Sequence, residues 1–399
     1  MHYSPEVSGN APYTTSLTEG LAATGNSVSV ISGTPHYPEW EVYKEFRQWT
    51  KVEKQRNVTL TRLRHYVPRR PTLGRRLIME ISFGLRLVLR RMPKSDVTVL
   101  VTPTLFSAAL FLMKRSVIRS KSPTVLWVQD LYSKGVRETT QSSSMVVRGI
   151  SAIERWVASN CNHVIVIHEG FSRSLEAYGL STGNISVVPN WVHLPSQPHT
   201  PDRASTRRRM GWEDKVVALH AGNMGVKQGL DTVISAAKLA DTESAHVVFV
   251  LLGDGNQRSR LEGLSDGVHS VTFIDPVSTS EFQELMQAAD TLIVCELEGV
   301  AEMSVPSKVT SYLTSGTPIV ASVGNGLTRI ELERSGGAIC VDAGDPAALL
   351  GTIQALAADR ERAGRLGEQG RSYAFHQLSG DSAIRIFEQT LRSAAATTE

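Results

Sequence analysis

The 399-residue sequence has only three cysteines, Cys161, Cys295 and Cys340, an odd number spread far apart. They show no zinc-site spacing and no disulfide framework, so a reducing cytosol is the expected compartment. No apolar run reaches the ~20 residues that a membrane-spanning helix needs. The most apolar stretch, residues 97–113, contains Pro103 and several threonines and ends at Lys114-Arg115. A strand, a turn at Thr102-Pro103 and a buried helix account for it. The opening Met1-His2-Tyr3-Ser4-Pro5 has neither the basic nor the apolar segment of a secretory signal. His/Cys clusters, a G-x-S-x-G elbow and a G-x-x-x-x-G-K-[ST] loop are all missing, which argues against hydrolase and NTPase chemistry.

What is there is ordinary for a soluble globular chain: 41% apolar and 20% charged residues, with a length that suits two domains of roughly 200 residues. The net charge of +3 hides an asymmetry. Residues 1–195 carry 24 Lys and Arg against 13 Asp and Glu, a net of +11, and the rest carries 18 against 26, a net of −8. A basic half joined to an acidic half suggests that one half faces something anionic.

Val/Ile/Leu-rich runs such as 27–32, 97–101, 124–128, 163–167, 216–220, 246–252, 291–295, 319–322 and 338–341 alternate with helical patterns such as 14–24, 148–159, 229–239, 279–289 and 346–358. Continuous apolar strands between amphipathic helices predict α/β domains with parallel sheets covered on both faces. The Pro-rich stretch 193–203 marks a linker, giving doubly wound domains over 1–194 and 204–375 and a final segment, 376–399, that contains a helix. No strand precedes the loop at residues 4–10, where a doubly wound domain normally opens with one; either a first strand is missing upstream of Met1, which is the expectation, or that sheet lacks its central strand.

Six segments carry candidate chemistry. In the first loop, Gly9 and Asn10 precede a helix whose unpaired amides suit an anion. Gly222-Asn223-Met224-Gly225 follows a strand and leads through Lys227 and Gln228 to a helix, a pattern that suits a diphosphate. Gly253-Asp254-Gly255 closes the next strand, at a sheet end where ligands bind, although a tight turn explains Asp254 as well. Ser304-Val305-Pro306-Ser307-Lys308 opens a helix, with Ser304 as the cap. Lys308 there opposes the macrodipole, which a docked anion would offset. Asp130 lies just past a strand, where it can take a proton from a sugar hydroxyl or cap the next segment. Arg69, Arg70, Arg75 and Arg76, with Arg90-Arg91, flank the apolar helix 77–89 and suit an anionic bilayer surface; the interleaved aromatics of a nucleic-acid surface are missing.

These residues resemble the family 4 retaining glycosyltransferases, in particular the branch that builds colanic-acid-type capsules, O-antigens and exopolysaccharides. Pro5-Glu6-Val7-Ser8-Gly9-Asn10-Ala11-Pro12-Tyr13 is similar to a P-E-x-x-G-x-A-x-Y segment, and Pro35-His36-Tyr37-Pro38 to a loop of that branch. Val188-Pro189-Asn190-Trp191-Val192 resembles a V-x-P-N-G-V hinge, with Trp191 in place of glycine. The glycine loops, residues 304–308 and Ser315-Gly316-Thr317-Pro318 follow in the family's order. The resemblance implies a GT-B fold with the donor cleft between two Rossmann-like domains. It implies a nucleoside-diphosphate-sugar donor held mostly by the second domain, a glycan or polyprenyl-linked acceptor bound by the first, and no required metal. It also implies that the final helix crosses back to the first domain.

Many members carry two glutamates before the G-x-P motif; those positions hold Met303 and Ser311 here. The family's usual basic pair falls on Asn223 and Gln228, leaving Lys227 and Lys308 as the nearby cations, and a frequent histidine falls on Gln129. The reaction expected is glycosyl transfer with retention, at the cytoplasmic face of the membrane and without nucleic acid. Lys308 and Lys227 would stabilise the leaving diphosphate, and Asp130 would serve the acceptor. A nucleotide-sugar 2-epimerase and a non-catalytic degenerate transferase are the alternatives.

Overall fold

The structure is a computed structural model that describes all residues except 7–8, 38, 71, 140–143, 193–201, 300–305 and 397–399. It divides into two compact units, Met1–His193 with Gly380–Glu399, and Leu194–Ser379.

The first unit holds two sheets. Val28–Gly33 (β1), Thr50–Gln55 (β2) and Val58–Leu63 (β3) form one, in the order β1-β3-β2. Here the sequence-based expectation of purely parallel sheets needs correcting, because β2 and β3 pair antiparallel. Thr98–Val101 (β4), Thr124–Val128 (β5), His163–Val166 (β6) and Ile185–Val187 (β7) form the other, all parallel and in chain order. The apolar stretch at 97–113 resolves into β4 and the helix Leu105–Val117. Among the described residues no helix is long and apolar enough to cross a membrane.

The core of this unit explains the tryptophan that replaces the hinge glycine. Trp191 is fully buried and stacks on Trp127 of β5, with centroids 5.8 Å apart. Tyr13 of the first helix and Phe387 of the last helix, Gly380–Ala396, meet it edge-on. Its indole N–H donates to Ser16 Oγ at 3.0 Å, so the one polar atom of the ring is satisfied.

The second unit is a single six-stranded parallel sheet. Its strands are Val216–Ala221 (β8), Val247–Leu252 (β9), Val271–Ile274 (β10), Thr291–Cys295 (β11), Ile319–Ser322 (β12) and Ala338–Val341 (β13). The order is β10-β9-β8-β11-β12-β13. Counted from β8 this is 3-2-1-4-5-6, the dinucleotide-fold order, whose strand direction of winding reverses between β8 and β11. Ligands of such sheets bind beyond the carboxyl ends of those two strands.

Candidate active site

In the second unit the loop signals converge on that reversal point. Gly222 follows β8 with φ +124°, and Gly253 follows β9 with φ +127°. A Cβ on Gly253 would lie 2.2 Å from the Gly222 carbonyl oxygen, and one on Gly255 2.4 Å from that of Met224, so the two loops pack backbone on backbone. Met224 N–H donates to Asp254 O and Gln257 N–H to Met224 O, tying them together. Asp254 itself turns inward locally, its Oδ1 accepting from Gly255 N–H at 2.7 Å. Gln228 Oε1 accepts from Gly225 N–H at 3.0 Å and so shapes the loop. Asn223 is exposed beside it, and Lys227, partly buried, accepts at its carbonyl from Leu297 N–H.

Lys308 is the first residue of the helix Lys308–Ser315, and Tyr312 sits one turn on, on the same face. The Tyr312 hydroxyl accepts from Ala221 N–H at 2.6 Å and donates to Ala221 O at 3.0 Å, clamping the helix to the end of β8. The Lys308 ammonium therefore reaches His220 Nε2 at 3.1 Å and lies 3.7 Å from where a Cβ on Gly222 would be. Burial lowers its pKa to about 8, against the opposing pull of Cys295 and Glu296 at the end of β11. Pro306 and Ser307 precede the helix; Ser304 and Val305 lie outside the described residues.

In the first unit, Glu6 is buried and organises the loops. Its Oε1 accepts from the backbone N–H of His36 and Tyr37 at 2.8 and 2.9 Å, and its Oε2 pairs with His2 Nδ1 at 2.7 Å. Burial works to raise its pKa, but the His2 hydrogen bond and the charges of His2 and His36 prevail and hold it at about 2. His2, Glu6 and His36 are the group among the described residues whose potential metal ligands lie within 4.8 Å of one another. Both carboxylate oxygens already accept hydrogen bonds, which makes the group a clamp between loops. Glu6→Gln is expected to destabilise this unit by roughly 2–3 kcal/mol at neutral pH. The folded pKa lies below the unfolded value, so the contribution is whole above about pH 4.5 and fades as pH falls towards 2. Acid titration of the melting temperature of both proteins reads this; parallel curves would refute it.

Asn10 donates from Nδ2 to Thr102 O at 2.9 Å, pinning the start of the first helix, just after Gly9, to the end of β4. Asp130 stands just past β5, its carbonyl accepting from Thr102 Oγ1 at 3.3 Å. The amides of Tyr132 and Ser133, which a cap would take, are taken by the buried carboxylate of Glu154. Arg69, Arg70, Arg75 and Arg76 are exposed, and the Arg76 guanidinium lies 5.0 Å from the centroid of the Trp40 ring.

Residues 8–191 match the glycosyl transferase 4-like domain and residues 202–373 the glycosyl transferases group 1 domain. The chain is a GT-B glycosyltransferase. Over 98% of its length this glycosyltransferase is 29% identical to 98% of the Escherichia coli (strain K12) protein named "Putative colanic acid biosynthesis glycosyl transferase WcaI". Its fold is similar to that of sucrose-phosphate synthase from Thermosynechococcus elongatus, with a TM-score of 0.76 at 18% identity over 98% of this chain and 94% of the other. It is also similar to Anabaena Alr3699/HepE, solved in complex with UDP, with a TM-score of 0.66 at 15% identity over 92% and 100% of the two chains.

Three groups in these transferase domains escaped the sequence reading: His220, Glu6 as a clamp, and Glu154. Glu6 did stand inside a recognised motif, but its partners at 36 and 37 are thirty residues away. His220 looked like the polar end of an apolar strand.

Proposed function

We propose that this enzyme transfers a hexose, with retention, from a nucleoside-diphosphate sugar to a polyprenyl-linked glycan in cell-surface polysaccharide assembly. The observation that carries the donor half is the Lys308 ammonium against Gly222 at the reversal point of the second unit's sheet. Negative charge grows on the diphosphate as the glycosidic bond breaks, and cations and a loop amide already in place stabilise it without rearrangement. Lys308, Lys227 and the Asn223 amide supply the countercharge, so no metal is required, while the amides of Gly222, Met224 and Gly225 donate within the fold. Asp130 orients the acceptor hydroxyl or takes its proton. The relative's printed role in colanic acid biosynthesis and the UDP bound to HepE support the substrate classes.

A thermal-shift panel of UDP- and GDP-sugars tests the donor, since a ligand bound to the folded state alone raises its melting temperature. One nucleotide class is expected to shift it, equally with and without a chelator. No shift with any donor, or a shift abolished by chelator, would overturn this reading. The anomeric coupling constant of the product distinguishes retention from inversion.

We further propose that the first unit docks on the anionic inner face of the membrane. The helix Leu73–Leu89 turns a stripe of Ile78, Ile81, Leu85 and Leu89 to solvent, each 37–83% exposed. The spacing of 3, 4 and 4 residues keeps all four on one face. Met113 and Val117 are exposed on the neighbouring helix, and Arg69, Arg70, Arg75 and Arg76 stand at the start of the stripe. Apolar side chains edged by arginines suit a headgroup boundary. Replacing Leu85 and Leu89 by serine is expected to weaken binding to phosphatidylglycerol vesicles at least tenfold. Unchanged partition, or equal binding to phosphatidylcholine vesicles, would refute it.

A further inference from the structure

We propose that His220 is the positioning residue that aims the Lys308 ammonium at the Gly222–Gly225 loop. The inference deepens the donor-site reading and rests on it.

Every residue of β8 from Val217 to Ala221 is buried, and apart from His220 all of them are apolar. A strand enclosed on both faces has no need of an imidazole, and an enclosed polar ring is costly unless it is used. The ring's side-chain partner is Lys308 Nζ. An ammonium has donors and no lone pair, so His220 Nε2 must be the acceptor and its proton must sit on Nδ1. Burial and the neighbouring Lys308 both hold the imidazole neutral, well below its ordinary pKa.

The placement matters because lysine is a point charge on a flexible four-carbon stem. Lys308 leaves its helix at the first turn, where the macrodipole repels it. A fixed lone pair behind the ammonium settles its position and leaves its other two N–H bonds for an anion in front. The groups facing Lys308 come from three elements: His220 from β8, Cys295 and Glu296 from the end of β11, and Tyr312 from its own helix. Tyr312 is committed to Ala221 and Glu296 accepts from Thr328 Oγ1 at 2.6 Å. Among the described residues His220 holds the ammonium by a hydrogen bond of 3.1 Å, and being fully buried it acts through Lys308.

The test compares His220→Phe and His220→Gln in the full chain. The titration of Lys308 is read without substrate, from the pH dependence of its acetylation measured by mass spectrometry. Phenylalanine removes the acceptor, and the Lys308 titration is expected to move down by about one pH unit, which is tenfold in the equilibrium. The alkaline limb of kcat/KM follows it, and kcat/KM falls at least tenfold in protein that is still folded at the assay temperature, the lowered folded pKa itself bringing a small loss of melting temperature. Glutamine, whose amide oxygen can replace Nε2, restores both. A Lys308 titration unmoved by phenylalanine, or activity lost only in proportion to unfolding, would overturn the inference. If the titration moves but no nucleotide diphosphate binds the natural protein, His220 positions Lys308 and the donor reading fails instead.

Discussion

Replacing Lys308 by methionine is expected to raise the melting temperature of the donor-free protein and to slow turnover at least a hundredfold. Both effects have one cause. Burial lowers the ammonium's pKa from 10.5 to about 8, a penalty on the charged form of roughly 3 kcal/mol. The folded pKa lies below the unfolded one, so at neutral pH the whole penalty stands. Between about pH 8 and 10.5 the unfolded chain binds more protons, and stability rises with pH. Methionine fills the same space without charge, so its curve lacks that rise and the two proteins converge near pH 10. In the proposed mechanism the same buried charge stabilises the leaving diphosphate, and removing one such group typically costs two to three orders of magnitude in rate. Melting curves from pH 7 to 10 beside steady-state turnover decide the matter. A methionine variant that melts lower would refute the burial penalty, and one that turns over normally would remove Lys308 from the mechanism.

Gly253→Ala should do its damage through the backbone. At φ +127° the added methyl is strained, and it would meet the Gly222 carbonyl oxygen at 2.2 Å, where no flexible side chain can move aside. Relief requires the loops after β8 and β9 to part, breaking the Met224–Asp254 and Gln257–Met224 backbone bonds. A loss of roughly 3–4 kcal/mol, or about 10 °C in the second unit's melting, is expected, with donor binding abolished. Asp254→Ala, which removes one local hydrogen bond, should lose about 1 kcal/mol and keep donor binding. Equal behaviour of the two variants would show that the loops are not interlocked.

Local chemistry decided how much could be read from the chain alone. Strands buried on both faces, such as β8, β9 and β11, are continuous apolar runs and declare themselves. β2 does not: Thr-Lys-Val-Glu-Lys-Gln is an edge strand whose half-buried positions, Lys51, Glu53 and Gln55, are polar and whose one apolar residue, Val52, is exposed. β3 hides for a different reason. Its Arg62 is buried, with its Nε donating to Glu53 Oε1 on β2, so a polar letter stands at an inward position. At the candidate site, the glycine loops and Lys308 each carry a local signature. The meeting of Lys308 with His220 spans 88 residues, and no pattern of neighbours encodes it. Likewise Glu154 reaches back 22 residues to Tyr132.

The last helix bears on the order of synthesis. Phe387 meets Trp127 at 4.8 Å inside the first unit, yet it is translated after the whole of the second unit, Leu194–Ser379. While the ribosome is still making residues 194–379, the two stacked indoles have no Phe387 to cover them. The first unit is thus completed only after the second has been made, and the second unit can fold in the interval. A released chain ending at residue 379 should accordingly be cut by protease in its amino-terminal part and resist in the stretch that follows.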